Sequence, residues 1–237
     1  ADVLYRNDGM GGFSDVSRET GVGDHHHPAL GVLFADLDDD GDQDLYVAND
    51  SRPNLLFRND GDWRFTEVAA WAGVAYSEDG RSQAGMGVAA GDYDRDGDLD
   101  LYVTNFSDDV NTLYQNQGDG TFLDATFAAS LGGQVRPYLG WSTALFDADN
   151  DGWLDLFVAN GHLYPQLTTH PSGLRYAQHN LLYRNEGGTF ALLPHASLPG
   201  GVQVSRGTAF GDYDNDGDTD LLVMNLNDTP TLLRNDG

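Results

Sequence analysis

Short runs in which apolar and polar residues alternate, or in which Val, Leu, Tyr and Phe dominate, recur along the whole chain, each bounded by Gly, Asn or Asp. Asp44-Leu45-Tyr46-Val47-Ala48-Asn49 is representative. In the first full unit the pattern predicts four strands: one over Gly31 to Leu37, a second over Leu45 to Asn49, a third over Asn54 to Arg58 and a short fourth over Arg64 to Val68. An Asp-rich loop separates the first two.

That loop is a repeat. Asp36 to Asp44, Asp92 to Asp100, Asp147 to Asp155 and Asp212 to Asp220 all read D-x-D-x-D-G-x-x-D, with first aspartates 56, 55 and 65 residues apart. A second motif keeps step with it, as Leu4-Tyr5-Arg6-Asn7, Leu56-Phe57-Arg58-Asn59, Leu113-Tyr114-Gln115-Asn116, Leu182-Tyr183-Arg184-Asn185 and Leu233-Arg234-Asn235. Four strands at this period predict an all-β fold, a β-propeller of four-stranded blades with an Asp-rich calcium loop between strands one and two of each blade. The expected division is a partial blade over 1–23, blades over 30–74, 85–131 and 139–198, the last with an inserted loop over 161–179, and a partial blade over 206–237. The incomplete units fit further blades in sequence beyond this chain, the preferred reading, or a small ring closed by strands from both termini.

Composition sharpens the picture. Of 38 acidic residues 34 are Asp, all 12 basic residues are Arg, and the net charge is -26. A preference for Asp over Glu points to repeated turns and cation loops rather than acidic helices. Hydrophobic residues make up 40% of the chain, enough for a core despite the charge. The charge argues against nucleic acid and anionic lipid as partners, and no apolar run reaches the roughly 18 residues of a membrane span. With no Cys, disulfides and thiolate chemistry are excluded. The first residues do not read as a signal peptide, so any such signal has been removed or lies outside this stretch.

Within each loop, positions one, three and five present carboxylates, position seven a backbone carbonyl and position nine a carboxylate able to bind through both oxygens. The assigned ligands are Asp36, Asp38, Asp40, Asp42 and Asp44; Asp92, Asp94, Asp96, Asp98 and Asp100; Asp147, Asp149, Asp151, Trp153 and Asp155; and Asp212, Asp214, Asp216, Asp218 and Asp220. Trp153 shows that the side chain at position seven need not coordinate. Hard oxygen ligands without His or Cys select Ca²⁺, about four ions in a structural role. Two carboxylates about 4 Å apart repel by about 1 kcal/mol in water and about 4 kcal/mol near a protein surface, which favours a bound cation. An EF-hand is excluded, because its twelfth position needs an acid and a helix, and here that position is Val47, Val103, Val158 or Val223 in a strand.

These loops resemble the FG-GAP/VCBS repeats, also found in integrin α-subunit propellers. Phe13-Ser14-Asp15-Val16-Ser17 with Glu19-Thr20-Gly21-Val22, Phe65-Thr66-Glu67-Val68 with Ala72-Gly73-Val74, and Asn160-Gly161-His162-Leu163-Tyr164-Pro165 resemble, more narrowly, the cartilage acidic protein family. In that family the repeats typically precede an ASPIC/UnbV domain. The resemblance implies a secreted or cell-surface propeller, seven-bladed when complete, acting in adhesion or matrix interaction. The chain departs from the pattern in lacking an Asp loop in its first unit and in stopping at Gly237, which supports an excerpt or a processed form.

Other clusters have plain structural readings. His25-His26-His27 reads as an inter-blade loop before it reads as a transition-metal site, and His162 with Tyr164 as a turn. The loop carrying His170, Arg175, Tyr176 and His179 is open to either a structural or a ligand-binding role. Arg6, Arg58, Arg184 and Arg234 recur once per unit and are expected to pair with acidic loops of neighbouring blades, while Trp71, Trp141 and Trp153 are expected in packing. No Gly-x-Ser-x-Gly, phosphate loop or His-Glu-x-x-His is present, and the reading is not an enzyme. The expected function is that of an extracellular calcium-binding module for adhesion, matrix or protein–protein interaction, with an extracellular protein or glycan ligand as partner. Self-assembly into an oligomer or polymer is a second class, and a carbohydrate-binding or polysaccharide-processing module a third.

Overall fold

The computed structural model describes residues 2–169 and 171–237. An N-terminal hairpin pairs Tyr5–Asn7 with Phe13–Asp15. Three antiparallel four-stranded blades follow, each ordered as in the sequence: Ala29–Ala35, Asp44–Asn49, Leu55–Asn59 and Phe65–Glu67; Val88–Gly91, Asp100–Val103, Thr112–Asn116 and Phe122–Asp124; Gly140–Phe146, Asp155–Asn160, Leu181–Asn185 and Phe190–Leu192. A fourth blade has three strands, Ser205–Gly211, Asp220–Asn225 and Thr231–Leu233. The chain is an all-β propeller of four successive blades. Strand one of the first blade stops at Ala35, two residues earlier than predicted, because the Asp loop turns immediately, with Asp39 at φ 56° and Gly41 at φ 93°. The inserted segment of the third blade contains a short 3-10 turn, Pro165–Thr169, and a two-residue strand, Gln178–His179, that pairs with Val202–Gln203.

Strand two of each of the first three blades is buried on both faces, so it reads as a nearly continuous apolar run, whereas in the fourth blade Leu222 and Met224 are exposed. Leu45 and Val47 face the N-terminal hairpin with Val22, Leu4 and Phe57. Tyr46 and Ala48 face the second blade, where they meet Leu101, Val103 and Tyr114. Tyr102 and Leu113 pack against Leu156, Val158 and Tyr183 of the third blade, and Phe157 and Ala159 against Leu221 and Val223 of the fourth. Full burial of a side chain of this size stabilises by about 1.5–3 kcal/mol. The core is therefore a stack of inter-blade layers.

Two one-turn helices, Ser17–Thr20 and Ala69–Ala72, follow strand four of their units and stop at left-handed Gly21 and Gly73, with φ 88° and 87°. The sequence pattern predicts no helix at either place. Neither turn shows helical periodicity long enough to read, and each is held by tertiary packing of its buried residues, Ala69 and Ala72 in the second case.

The innermost strands approach so closely that a side chain would collide. A Cβ on Gly31 would lie 2.0 Å from the Met86 carbonyl oxygen, and one on Gly87 would lie 1.8 Å from that of Trp141. At the corresponding Gly207 of the fourth blade nothing lies within 4 Å. Gly87→Ala is expected to destabilise the chain by about 1–3 kcal/mol, and Gly207→Ala to stay within about 0.5 kcal/mol of the parent. Urea denaturation of the two variants checks this; equal losses would contradict the layered packing.

Candidate metal centres

Each Asp loop repeats one backbone course. Position four is left-handed without being glycine, as Asp39, Arg95, Asn150 and Asn215 (φ 56°, 61°, 58° and 63°), and the position-six glycine is left-handed again. This double kink folds the loop back on its first aspartate. Asp36 accepts hydrogen bonds from the backbone N–H of Asp40 (3.2 Å) and Gly41 (3.0 Å), and Asp92, Asp147 and Asp212 do the same in their loops. The position-five carboxylates of Asp40, Asp96, Asp151 and Asp216 accept the N–H of Asp42, Asp98, Trp153 and Asp218 at 2.8–3.0 Å.

Three carboxylate oxygens converge within 4.8 Å of one another in every loop: Asp36, Asp38 and Asp40; Asp92, Asp94 and Asp96; Asp147, Asp149 and Asp155; Asp212, Asp214 and Asp216. In the third loop position nine thus replaces position five, leaving Asp151 outside the trio. The donor set is all oxygen and anionic, the chemistry of a hard cation. One Oδ1 each of Asp38 and Asp94 is buried with no hydrogen-bond partner among the described residues. Burial, and then the neighbouring loop carboxylates, push Asp38 above the ordinary carboxylate pKa. A cation among these oxygens would relieve both penalties, so the residues present fit one.

Position nine has a second task. Asp44, Asp100, Asp155 and Asp220 are at most 2% exposed. One oxygen of each accepts the N–H of the residue at position two, Leu37, Tyr93, Ala148 or Tyr213, at 3.0–3.1 Å. The other accepts the N–H of the motif asparagine, Asn59, Asn116, Asn185 or Asn235, at 2.7–2.8 Å. Burial raises Asp44 to about 6 and Asp100 to about 7 against the opposing pull of these hydrogen bonds, and raises Asp155 as well. The asparagines are the functional residues that the sequence reading passed over, although their recurrence in all five motif copies was the available signal. Asn116 Nδ2 donates to the carbonyls of Leu99 in its own loop (3.1 Å) and Leu37 in the preceding blade (2.9 Å). Asn185 makes the same pair to Leu154 and Tyr93, and Asn235 reaches Ala148.

The recurring arginines pair with acids of their own turns instead of a neighbouring blade: Arg58 with Asp60 (2.8 Å), Arg184 with Glu186, and Arg234 with Asp236 (2.5 Å). Two residues along a strand end is within easy reach, and such exposed pairs contribute little to stability. Arg6 instead lies 5.5 Å from the Trp63 ring. Trp153 packs under Arg95 and Trp141 under Arg206, both at 4.4 Å. Trp71 departs from the packing expectation, being 63% exposed on the outward side of its one-turn helix, whose inward side is Ala69 and Ala72.

His162 is buried, its Nδ1 accepting the N–H of Leu163 (2.9 Å) and Tyr164 (3.2 Å), which places the ring proton on Nε2, 3.1 Å from Ser107 Oγ. Burial, then the Arg206 charge, lowers its pKa and keeps it neutral. It fixes the start of the inserted segment, further held by the His162 N–H on the Tyr176 carbonyl. His179 stacks on His195 at 4.1 Å, and Arg175 donates to the carbonyl of Leu174; His170 lies outside the described residues. His25 rests edge-on against Phe57, and His27 Nδ1 lies 3.2 Å from the Pro53 carbonyl.

Residues 36–103, 102–158 and 173–223 each match the FG-GAP-like repeat. The chain belongs to the FG-GAP-like repeat family. The chain is also similar to cartilage acidic protein 1, as the motifs in the sequence led one to expect: 29% identity to the human protein over 217 residues (88% of this chain, 30% of that protein), and 30% to that of Xenopus tropicalis over 150 residues (62% and 22%). The chain thus spans less than a third of these curated relatives. Among solved structures, an Agrocybe aegerita lectin that recognises terminal N-acetylglucosamine aligns at 17% identity over 99% of this chain and 74% of that one, with a TM-score of 0.40, too low to carry an argument.

Because folding raises the pKa values of Asp44 and Asp100 above 3.8, the folded chain holds these protons more tightly than the unfolded one. Their contribution is full below about pH 4 and is lost as pH rises through about 6 to 7. In excess chelator, the urea midpoint is therefore expected to fall between about pH 5 and about pH 7.5. A midpoint that rises over this interval would contradict the raised values.

Proposed function

We propose that this FG-GAP module is a calcium-stabilised propeller working outside the cell, which binds a protein or glycan partner and has no catalytic role. The observation carrying this reading is the fourfold convergence of three carboxylates, with oxygens of Asp38 and Asp94 buried and unpartnered. Asp36, Asp38 and Asp40 and their counterparts would hold the ion, with the position-seven carbonyls and position-nine carboxylates as further ligands. Bound calcium would neutralise the loops and so stabilise the connection between strands one and two. Extracellular modules bind Ca²⁺ at about 10⁻⁴–10⁻³ M, which suits a metal-rich exterior. The name of the relatives, cartilage acidic protein, supports a place in the matrix. No helix among the described residues is long and apolar enough to cross a membrane.

The resemblance to the cartilage acidic protein family, of whose members this chain spans less than a third, supports a module of a longer, seven-bladed propeller. A second reading, self-assembly, draws on exposed apolar residues at both ends of the stack: Val32 and Phe34 on the first blade, and Leu222, Met224 and Leu232 on the last.

Thermal melts with millimolar CaCl₂ and with excess EDTA test the calcium reading. Calcium is expected to raise Tm by at least about 5 °C, and Asp94→Asn to reduce that rise. Identical melts in both conditions would sink the proposal. Light scattering at rising concentration separates the readings: a constant mass favours a module for a different partner, and growth favours assembly.

A further inference from the structure

The acidic loops all lie at the far end of strand one, and the near end has a different character. Six residues before each first aspartate stand Leu30, Met86, Trp141 and Arg206, one per blade. They come together around a cavity of about 370 Å³ on the innermost strands, which Val32 and Val88 also line. No acidic residue lines it, although 38 of 237 residues are acidic.

Arg206 is the one charged group in this cavity, half-buried and 4.4 Å above the Trp141 ring. No carboxylate lies within 4.0 Å of it among the described residues, so its charge is uncompensated. Its orientation is nevertheless fixed. Nη1 donates to the carbonyls of Gly161 (2.9 Å) and Ser205 (2.7 Å), and Nη2 to that of His162 (3.1 Å). Trp141 Nε1 donates to the same Gly161 carbonyl at 2.8 Å, which locks the ring beneath. Three of the five guanidinium N–H groups are thereby used. Nε–H and one Nη2–H find no acceptor among the described residues, and such a pair on a planar fork is spaced to take both oxygens of a carboxylate.

We propose that this cavity is a binding site for an organic carboxylate, with Arg206 taking the anion and Leu30, Val32, Met86 and Trp141 enclosing a compact apolar or sugar-ring body. The volume lies near the lower end of the roughly 300–1,000 Å³ range of small-molecule sites. The net negative charge of the chain does not forbid an anion here. At about 0.15 M salt, exposed charges more than about 8 Å away are largely screened, whereas contacts within the cavity are not. The site is separate from the Asp loops, and the inference does not rest on the calcium reading.

Calorimetric titration of the whole chain with benzoate and with glucuronate, each against its neutral counterpart benzamide or glucose, tests the site. At least one carboxylate is expected to saturate, with its neutral counterpart weaker by at least about tenfold. Saturation by benzoate alone identifies an apolar body and by glucuronate alone a sugar body. Arg206→Gln is expected to lower affinity by at least about tenfold, and Arg206→Lys to restore only part of it, since a point charge cannot reproduce the fork. Absence of saturation by both carboxylates, binding of the neutral compounds as tight as their acids, or unchanged affinity in folded Arg206→Gln would overturn the proposal. If that variant does not fold, the acid-versus-neutral comparison on the unaltered chain decides alone.

Discussion

A carboxylate with nowhere to go organises this fold. The ninth residue of each Asp loop is buried, and ionised it requires hydrogen-bond donors. It finds them in two backbone N–H groups from separate segments: the start of its own loop and the end of strand three. Those two segments are thereby held at a fixed distance, which sets both the path of the loop and the register of the outer strands. An Asp is suited to this because its stem is short; Glu would move the carboxylate about one methylene further out. Scarcity of Glu in the chain has the same root as its abundance of Asp.

This geometry gives the loops two kinds of acid. Those at positions one, three and five are partly or fully exposed and crowd one another, a repulsion that any hard cation would turn into attraction. Those at position nine serve the backbone, and only Asp155 also joins a converging trio. Metal binding at these loops would thus be coupled to blade architecture through one turn, so that a change in either would be felt by the other.

Much of this was legible in the sequence because the governing constraints are local and repeated. A two-residue alternation marks strands, and D-x-D-x-D-G marks a loop whose glycine must be left-handed. What stayed hidden depends on non-local partners. The bond from Asn116 to Leu37 spans 79 residues, so nothing near Asn116 announces it. Trp71 was expected in packing because it is large and apolar, yet a single helical turn gives too few residues to show which side faces inward. Arg206 stands out only once the four repeats are aligned on their aspartates, where it replaces Leu, Met and Trp.

The asparagine links also have a direction. Asn116, Asn185 and Asn235 each reach backward to the loop of the blade before, and none reaches forward. The first three loops are therefore buttressed from the C-terminal side, whereas the loop from Asp212 to Asp220 receives no such support among the described residues, and its converging acids are all exposed. Other links run forward, from Arg95 Nε to the carbonyl of Gly152 (2.9 Å) and from Asn150 Nδ2 to the carboxylate of Asp218 (2.6 Å), so a break in one blade loosens the loops on both sides of it. The opening of any one loop, and with it the escape of a bound ion, would therefore be passed to its neighbours in both directions along the propeller.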